Sequence, residues 1–327
     1  MPSSFCSYRG RALILYRFIK DKKTALFLLF SGNTLAMSVI SRLIECFLWL
    51  SGSAKDPTEK QFYRKMRKNA IRTKREEKKG PPVCGIMAQK SVYCGMPYYT
   101  LIPQEVETTK SILYLHGSAY MNGYRPAQLR FAVELAKQTH AKVYFPLYPK
   151  LPFSTFLSCF ALLNNFFVFL RKKGEVFPMG DSSGGTLALA LALTRSEVKE
   201  VIALSPWVSL SVGEEGRRVQ SDFMISLGCL DRVASLWAEK LSWQDPRLSP
   251  IQGTFSGKSL FITSGECERF RPDLLRFCKV QEERGATVTY LEGAKQQHCY
   301  PLLPTPEGRE ARQAITKRLQ HALYGDR

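Results

Sequence analysis

The sequence has few of the residues that usually bind metal ions. Its nine cysteines include no Cys-x-x-Cys pair, and only four histidines occur among 327 residues. Protein metal sites are typically recognised by closely spaced cysteine and histidine ligands. We therefore expect no metal site and no cofactor. Because the cysteines are odd in number and scattered, they also indicate reduced thiols in a reducing compartment.

Acidic residues are scarce relative to basic ones, and the imbalance is largest in the N-terminal quarter of the chain. The formal net charge is +19, and residues 1–80 hold 18 basic and 6 acidic residues. The chain lacks a zinc knuckle, an RNP-like aromatic motif and a recognition-helix pattern, so we expect no nucleic-acid partner. Anionic lipid headgroups are the other partner that such a charge favours.

A long unbroken apolar run is also missing. Residues 24–41 carry no charge, but eighteen residues is the lower edge for a membrane-spanning helix, and Ser31, Gly32 and Asn33 interrupt the run. No small-residue cleavage site of a secretory signal peptide is evident. Three interpretations stay open: a signal-anchor helix, an amphipathic segment in one leaflet, or helices that cap an active site. We predict a membrane-associated protein, for example at the endoplasmic reticulum, with a cytoplasmic location as the alternative.

A basic segment from Lys55 to Lys79 follows. Its apolar residues are spaced as one helical stripe, namely Phe62, Tyr63, Met66, Ala70 and Ile71. Gly80-Pro81-Pro82 then ends the segment. We predict a basic, hydrophobic region at 1–80 that associates with a membrane, caps the active site, or does both, and a catalytic domain at 81–327.

Beyond residue 82, short apolar strands alternate with amphipathic helices. The predicted strands are 86–92, 96–102, 111–115, 142–145, 175–179, 200–204, 259–263 and 287–291. The predicted helices are 128–139, 154–173, 184–195, 231–240, 272–283 and 307–323. Such alternation is typical of an α/β fold with a mostly parallel central sheet and helices on both faces. Pro178 conflicts with its strand because it lacks a ladder donor.

The pattern Gly-x-Ser-x-Gly stands at Gly180 to Gly184, between a predicted strand and a predicted helix. In such a turn, the serine is held in a sharp corner with its hydroxyl exposed, and the glycines leave room for the backbone. Ser182 is therefore the candidate nucleophile. The Ser183 amide, at the positive end of the helix dipole, would face an oxyanion formed beside Ser182.

A nucleophilic serine needs a base and an acid that orients the base. His298 lies in a loop after the last predicted strand, which fits the order Ser, acid, His of one large class of hydrolases. Two carboxylates, Glu266 and Glu268, follow the preceding strand. The residues alone do not choose between them.

His116-Gly117-Ser118-Ala119-Tyr120 follows another predicted strand. Small residues there allow backbone amides to approach a substrate, as in the His-Gly-Gly-Gly oxyanion motif, of which this chain keeps one glycine. We predict that the amides of Gly117, Ser118 and Ser183 form an oxyanion hole, and that His116 is structural.

With these residues assembled, the chain resembles the hormone-sensitive-lipase-like branch of the α/β-hydrolases. That branch includes arylacetamide deacetylases, bacterial carboxylesterases and fungal sterol-acetate deacetylases. The matching landmarks occur in family order over about residues 85–325, at 114–120, 180–185, 204–207, 245–250, 264–268 and 298–300. The resemblance assigns the triad acid to Glu268, with Glu266 in reserve.

The resemblance also implies an α/β-hydrolase fold with a helical cap, formed by the N-terminal region and an insertion at 208–244. Candidate pocket residues are Tyr120, Trp207, Phe223 and Met224. The function that it implies is a serine ester hydrolase acting on a lipophilic ester through a Ser-His-Glu triad. Two alternatives stay open: a non-catalytic binding protein of the same fold, and an amidase-type deacetylase.

Overall fold

The computed structural model of the protein describes residues 37–78 and 85–325. Most of the uncharged segment 24–41 and the predicted domain boundary at Gly80 lie outside these ranges. The three interpretations of that segment therefore stay predictions. Across 37–78 and 85–325, no helix is both long enough and apolar enough to cross a membrane.

Within the part of the chain that the structure describes, eight strands form one sheet. They are β1 (Met87–Tyr93), β2 (Met96–Ile102), β3 (Ser111–Leu115), β4 (Lys142–Pro146), β5 (Val176–Asp181), β6 (Glu200–Leu204), β7 (Ser259–Gly265) and β8 (Thr287–Gly293). Their order in the sheet is β1-β2-β4-β3-β5-β6-β7-β8. Strand β2 is antiparallel to β1 and β4, and all other neighbours are parallel. The predicted mostly parallel sheet is confirmed, with strand ends within two residues.

The described helices are α1 (Val39–Ser51), α2 (Glu59–Lys78), α3 (Pro126–Thr139), α4 (Phe156–Arg171), α5 (Ser183–Thr194), α6 (Glu214–Arg218), α7 (Leu227–Ala238), α8 (Arg271–Glu283) and α9 (Pro306–Tyr324). The helix predicted at 231–240 begins four residues earlier than expected. The reason is a helix cap: the Ser226 side chain accepts a hydrogen bond from the Cys229 amide and satisfies a free donor of the first turn.

Helices cover both faces of the sheet. Strand β3 is buried over its whole length, and its side chains alternate between two apolar clusters. Leu113 and Leu115 belong to the cluster with α4, α5, α7 and α8, whereas Ile112 and Tyr114 belong to the cluster with α3 and α9. Burial on both faces explains why such strands are apolar throughout rather than alternating with polar residues.

Pro178 lies inside β5 despite the conflict noted above. The strand pairs with β3 along Val176 to Gly180, but its pairing with β6 begins only at Met179. The position without an N–H group therefore precedes the ladder to β6, so the sheet loses little from the proline.

The N-terminal helices contact the insertion at 208–244. The Asp56 carboxylate accepts hydrogen bonds from the Ser226 hydroxyl and the Gly228 amide, each at 2.7 Å. Arg232 of α7 donates to the Pro57 carbonyl at 2.8 Å. Phe62 of α2 is fully buried in the same cluster as α7. These contacts join two segments that lie far apart in sequence.

Candidate active site

Ser182 occupies a strained turn between β5 and α5. Its φ and ψ are 52° and −125°, a region that residues with a side chain rarely adopt. Its amide donates to the Leu204 carbonyl at 2.7 Å, which ties the turn to β6. A Cβ atom at Gly180 or Gly184 would overlap the Leu115 carbonyl, so both flanking positions need glycine. The sharp corner predicted from the motif is present.

Three predicted residues lie in a hydrogen-bonded row. The Ser182 hydroxyl is 3.0 Å from Nε2 of His298. Nδ1 of the same imidazole is 2.8 Å from Oε2 of Glu268. Both distances are within hydrogen-bonding range for a nucleophile, its base and the group that orients the base.

The second carboxylate predicted for this position is elsewhere. Glu266 is exposed, and its carboxylate accepts a hydrogen bond from the Lys295 amide at 2.7 Å. Glu268 is 0% exposed and contacts His298. The geometry thus favours Glu268 for the orienting role, as the resemblance implies.

Burial and charge set the protonation of this row. Burial raises the pKa of Glu268, and its hydrogen bond to His298 opposes that shift. Burial alone would lower the pKa of His298, but the facing Cys299 sulfur and Glu268 carboxylate raise it well above its usual value. Burial raises the pKa of the Cys299 thiol above its ordinary 9.0, so the thiol is neutral near pH 7. The Glu268 carboxylate is then the negative charge that faces the imidazole.

The loop predicted to supply oxyanion donors lies against the turn at Ser182. The Gly117 amide hydrogen-bonds the buried Asp181 carboxylate. The Ser118 amide donates to the Ser183 hydroxyl at 2.9 Å. Among the residues that the structure describes, the amides of Ala119 and Ser183 have no acceptor. Two of the three predicted donors thus have partners within the protein, whereas the amide of Ala119, in the same loop, has none among the described residues.

Side chains hold this loop in place. The Tyr148 hydroxyl donates to the His116 carbonyl at 2.5 Å. Gln128 donates to the Gly117 carbonyl at 2.8 Å and to Asp181 at 2.7 Å. Asn122 donates to the Ser118 carbonyl at 2.7 Å. No sequence motif points to Gln128, Asn122 or Tyr148, because their roles depend on contacts between distant segments.

His116 is structural, as predicted. Its ring is fully buried and stacks on Phe145 and Tyr148, with ring centroids 5.6 and 4.7 Å away. Burial holds its pKa well below the usual value, so the ring is neutral. It is absent from the lining of the cavity at Ser182.

Ser182 and His298 open into a cavity of about 200 Å³. Its apolar lining includes Met121, Met224, Ile225, Leu230, Phe270 and Leu302, and Ser53 and Lys65 of the N-terminal region also line it. Of the four predicted pocket residues, Trp207 and Met224 line this cavity. Tyr120 instead stacks on Trp237 at 4.3 Å, and Phe223 is not among the lining residues.

Comparisons with known proteins agree with this architecture. A family model described as alpha/beta hydrolase fold matches residues 112–302. LipR of Mycobacterium tuberculosis, which bears the name of an acetyl-hydrolase, is 28% identical over 261 residues, 73% of this chain and 82% of its own length. An esterase of Acinetobacter venetianus is 25% identical over 202 residues, 58% of this chain and 67% of its own.

A solved structure extends the likeness of the fold over most of the molecule. A hormone-sensitive lipase from a metagenome library superposes with a TM-score of 0.75 at 19% identity, over 88% of this chain and 99% of that chain. The matched family region contains Ser182, Glu268 and His298. The resemblance found in the motifs is confirmed, and the chain belongs to the alpha/beta hydrolase fold family.

Proposed function

We propose that the protein is a serine hydrolase of carboxylic esters that works through an acyl-enzyme intermediate. The observation that carries this proposal is the row of Ser182, His298 and Glu268, joined by contacts of 3.0 and 2.8 Å at the end of a strained turn. The acetyl-hydrolase and esterase names of the relatives support the same reaction class.

The first half of the reaction forms the acyl-enzyme. The Ser182 oxygen attacks the ester carbonyl carbon while His298 Nε2 takes the hydroxyl proton. Glu268 holds the Nδ1 proton and stabilises the imidazolium that forms. The tetrahedral intermediate then collapses, the bond to the alcohol oxygen breaks, and His298 returns its proton to the leaving alcohol.

Water completes the cycle. A water molecule gives a proton to His298 and attacks the acyl carbon, and the second tetrahedral intermediate releases the carboxylic acid as Ser182 regains its proton. No metal or cofactor takes part in either half-reaction. The geometry thus supports both proton transfers through one imidazole.

The negative oxygen of each intermediate needs donors in place beforehand. The Ser183 and Ala119 amides are our choice, because neither has an acceptor among the described residues. The Gly117 and Ser118 amides, also predicted as donors, instead position the loop through Asp181 and the Ser183 hydroxyl. The arrangement divides the loop into amides that anchor it and an amide that faces the substrate.

The substrate that we propose is a lipophilic ester with a short acyl group. A cavity of about 200 Å³ with largely apolar walls admits little more than a small acyl chain beside Ser182. The sequence-based alternatives for the alcohol are a sterol, another lipid or a xenobiotic. Contact with a membrane surface is part of the proposal.

Hydrolysis of p-nitrophenyl esters from acetate to palmitate tests the proposal. The wild type should favour the short esters, and Ser182→Ala should lower kcat by on the order of 10⁶. Ser256→Ala is the matched control, because Ser256 is exposed and outside the cavity lining. Equal inactivity of wild type and Ser182→Ala, with no labelling by a fluorophosphonate, would leave the non-catalytic binding protein as the better interpretation.

A further inference from the structure

Helix α1 turns its polar side toward the protein. Ser41 is 5% exposed, and its hydroxyl donates to the Glu307 carboxylate of α9 at 2.8 Å. One turn later, Glu45 accepts a hydrogen bond from the Gln297 side chain at 3.1 Å, and burial raises its pKa. The inward side of this helix is therefore held by hydrogen bonds.

The opposite side of α1 is apolar and faces solvent. The exposed fractions are 64% for Val39, 48% for Ile40, 43% for Phe47 and 50% for Leu50. At about 100° per residue, these four residues and Leu43 fall within about one third of the helix circumference. A helix of a globular protein normally buries such a stripe. Trp49, also 50% exposed, lies about 80° around the helix from the edge of the stripe.

We propose that this stripe, formed by Val39, Ile40, Leu43, Phe47 and Leu50, is the surface through which the protein lies on a lipid bilayer. A helix with an apolar face of this kind can lie in the interfacial plane with that face in the acyl boundary, and tryptophan favours the same zone. The chain that leads into α1 carries no charge from Thr24 onward.

Charge favours lipid over a second copy of the chain. Helix α2 begins eight residues after α1 ends and carries nine basic and three acidic residues. All nine basic residues are exposed, so they attract anionic headgroups. Two copies with a formal net charge of +19 each would repel one another across the same face.

The stripe is close in sequence to residues that line or adjoin the cavity at Ser182. Ser53, two residues after α1, lines the cavity that holds Ser182. Gln297, which binds α1 through Glu45, directly precedes His298. A bilayer on the stripe would place lipophilic molecules beside that cavity. This last consequence rests on the proposed hydrolysis, whereas the membrane contact does not.

Vesicle sedimentation with the full chain tests the proposal. The vesicles contain equal parts of phosphatidylcholine and phosphatidylserine, and the variant is Ile40→Ser/Phe47→Ser/Leu50→Ser. We expect the partition coefficient to fall by about tenfold or more. The matched control is Met87→Ser/Val92→Ser/Val106→Ser, which removes three apolar side chains that are 61%, 64% and 43% exposed elsewhere, and it should bind as the wild type does. Circular dichroism and thermal melting verify that both variants are folded.

A second measurement needs no polar substitution. Brominated lipids should quench the fluorescence of the wild type, and Trp49→Phe should lose most of that quenching, because Trp49 is 50% exposed on α1 whereas Trp207 and Trp237 are buried. The proposal is overturned by undiminished binding of the α1 variant, by a wild type that does not sediment, or by a wild-type dimer that the α1 variant converts to a monomer. None of these readouts requires ester hydrolysis.

Discussion

The Ser118 amide donates a hydrogen bond of 2.9 Å to the hydroxyl of Ser183, the residue directly after the proposed nucleophile. Ser183 is 0% exposed and Ser118 is 7% exposed, so water does not replace this partner easily. The bond joins the loop after β3 to the first turn of α5. It thereby sets the distance between the amides of Ala119 and Ser183, which have no acceptor among the described residues.

Ser183→Ala should lower kcat about tenfold with little change in KM, because a buried amide left without an acceptor costs about 1–3 kcal/mol and the loop is released. Affinity for a trifluoromethyl ketone inhibitor should fall by a similar factor, since such a compound reports on oxyanion binding. Ser118→Ala is the control, because it keeps the amide. A rise in kcat for Ser183→Ala would mean that the freed Ser118 amide binds the oxyanion.

Glu268 and Glu266 lie two residues apart in the chain, so the same substitution at each position tests which carboxylate orients His298. Glu268→Gln should reduce kcat by on the order of 10³ to 10⁴, because the amide no longer stabilises the imidazolium or holds its tautomer. Glu266→Gln should stay within about twofold, since Glu266 is exposed and, among the described residues, its carboxylate accepts only from the Lys295 amide. Steady-state kinetics with p-nitrophenyl acetate gives kcat for both variants. Equal effects of the two substitutions would remove Glu268 from the proposed role.

The pH dependence of kcat/KM should follow the protonation of the His298 imidazole. Only the neutral imidazole accepts the proton of Ser182, and Glu268 raises the pKa of His298 above its ordinary 6.5. The acid limb of kcat/KM should therefore lie above pH 6.5, with activity lost as the pH falls through the raised pKa. In Glu268→Gln, the limb of the residual activity should move to lower pH. A wild-type limb at or below pH 6.5 would contradict the assignment.

Phe62 of α2 is fully buried, whereas the adjacent Tyr63 is 45% exposed. Phe62→Ala should lower the free energy of unfolding by about 3–5 kcal/mol, because it leaves a cavity in the main apolar cluster. Tyr63→Ala should change it by less than about 1 kcal/mol. Urea denaturation followed by fluorescence gives both values. If Phe62→Ala costs as little as Tyr63→Ala, α2 unfolds separately from the sheet.

Lys150 is 3% exposed, and its ammonium lies 3.5 Å from Nε2 of His116. Burial lowers its pKa from 10.5 to about 8. The unfolded chain thus binds more protons than the folded one between these values, so this residue makes stability rise as the pH increases from about 8 to 10.5. Lys150→Met should raise the melting temperature at pH 7, by an amount that shrinks toward pH 10. A constant difference across this range would mean that Lys150 is charged throughout.

The regular alternation of strands and helices made the sheet predictable from local sequence. Segments such as Ser111–Leu115 are apolar on both faces because the sheet buries both, and this pattern requires no knowledge of their partners. Pro178 looked incompatible with a central strand because the sequence does not show where the ladder to β6 begins. The start of α7 depended on the Ser226 cap, a single side-chain hydrogen bond.

Local spacing and chain order were sufficient to predict that Ser182 and His298 lie together, because short motifs specify the turn of a candidate nucleophile and the chain position of a candidate base. The structure places the two side chains 3.0 Å apart. Contacts between segments far apart in the chain had to be seen in three dimensions. Glu268 is buried whereas Glu266 is exposed. The packing of Asp181 and Ser183 against the loop leaves the Ala119 amide without an acceptor among the described residues. Folding also turned the polar side of α1 inward through Ser41 and Glu45, because their hydrogen-bond partners lie more than 250 residues away.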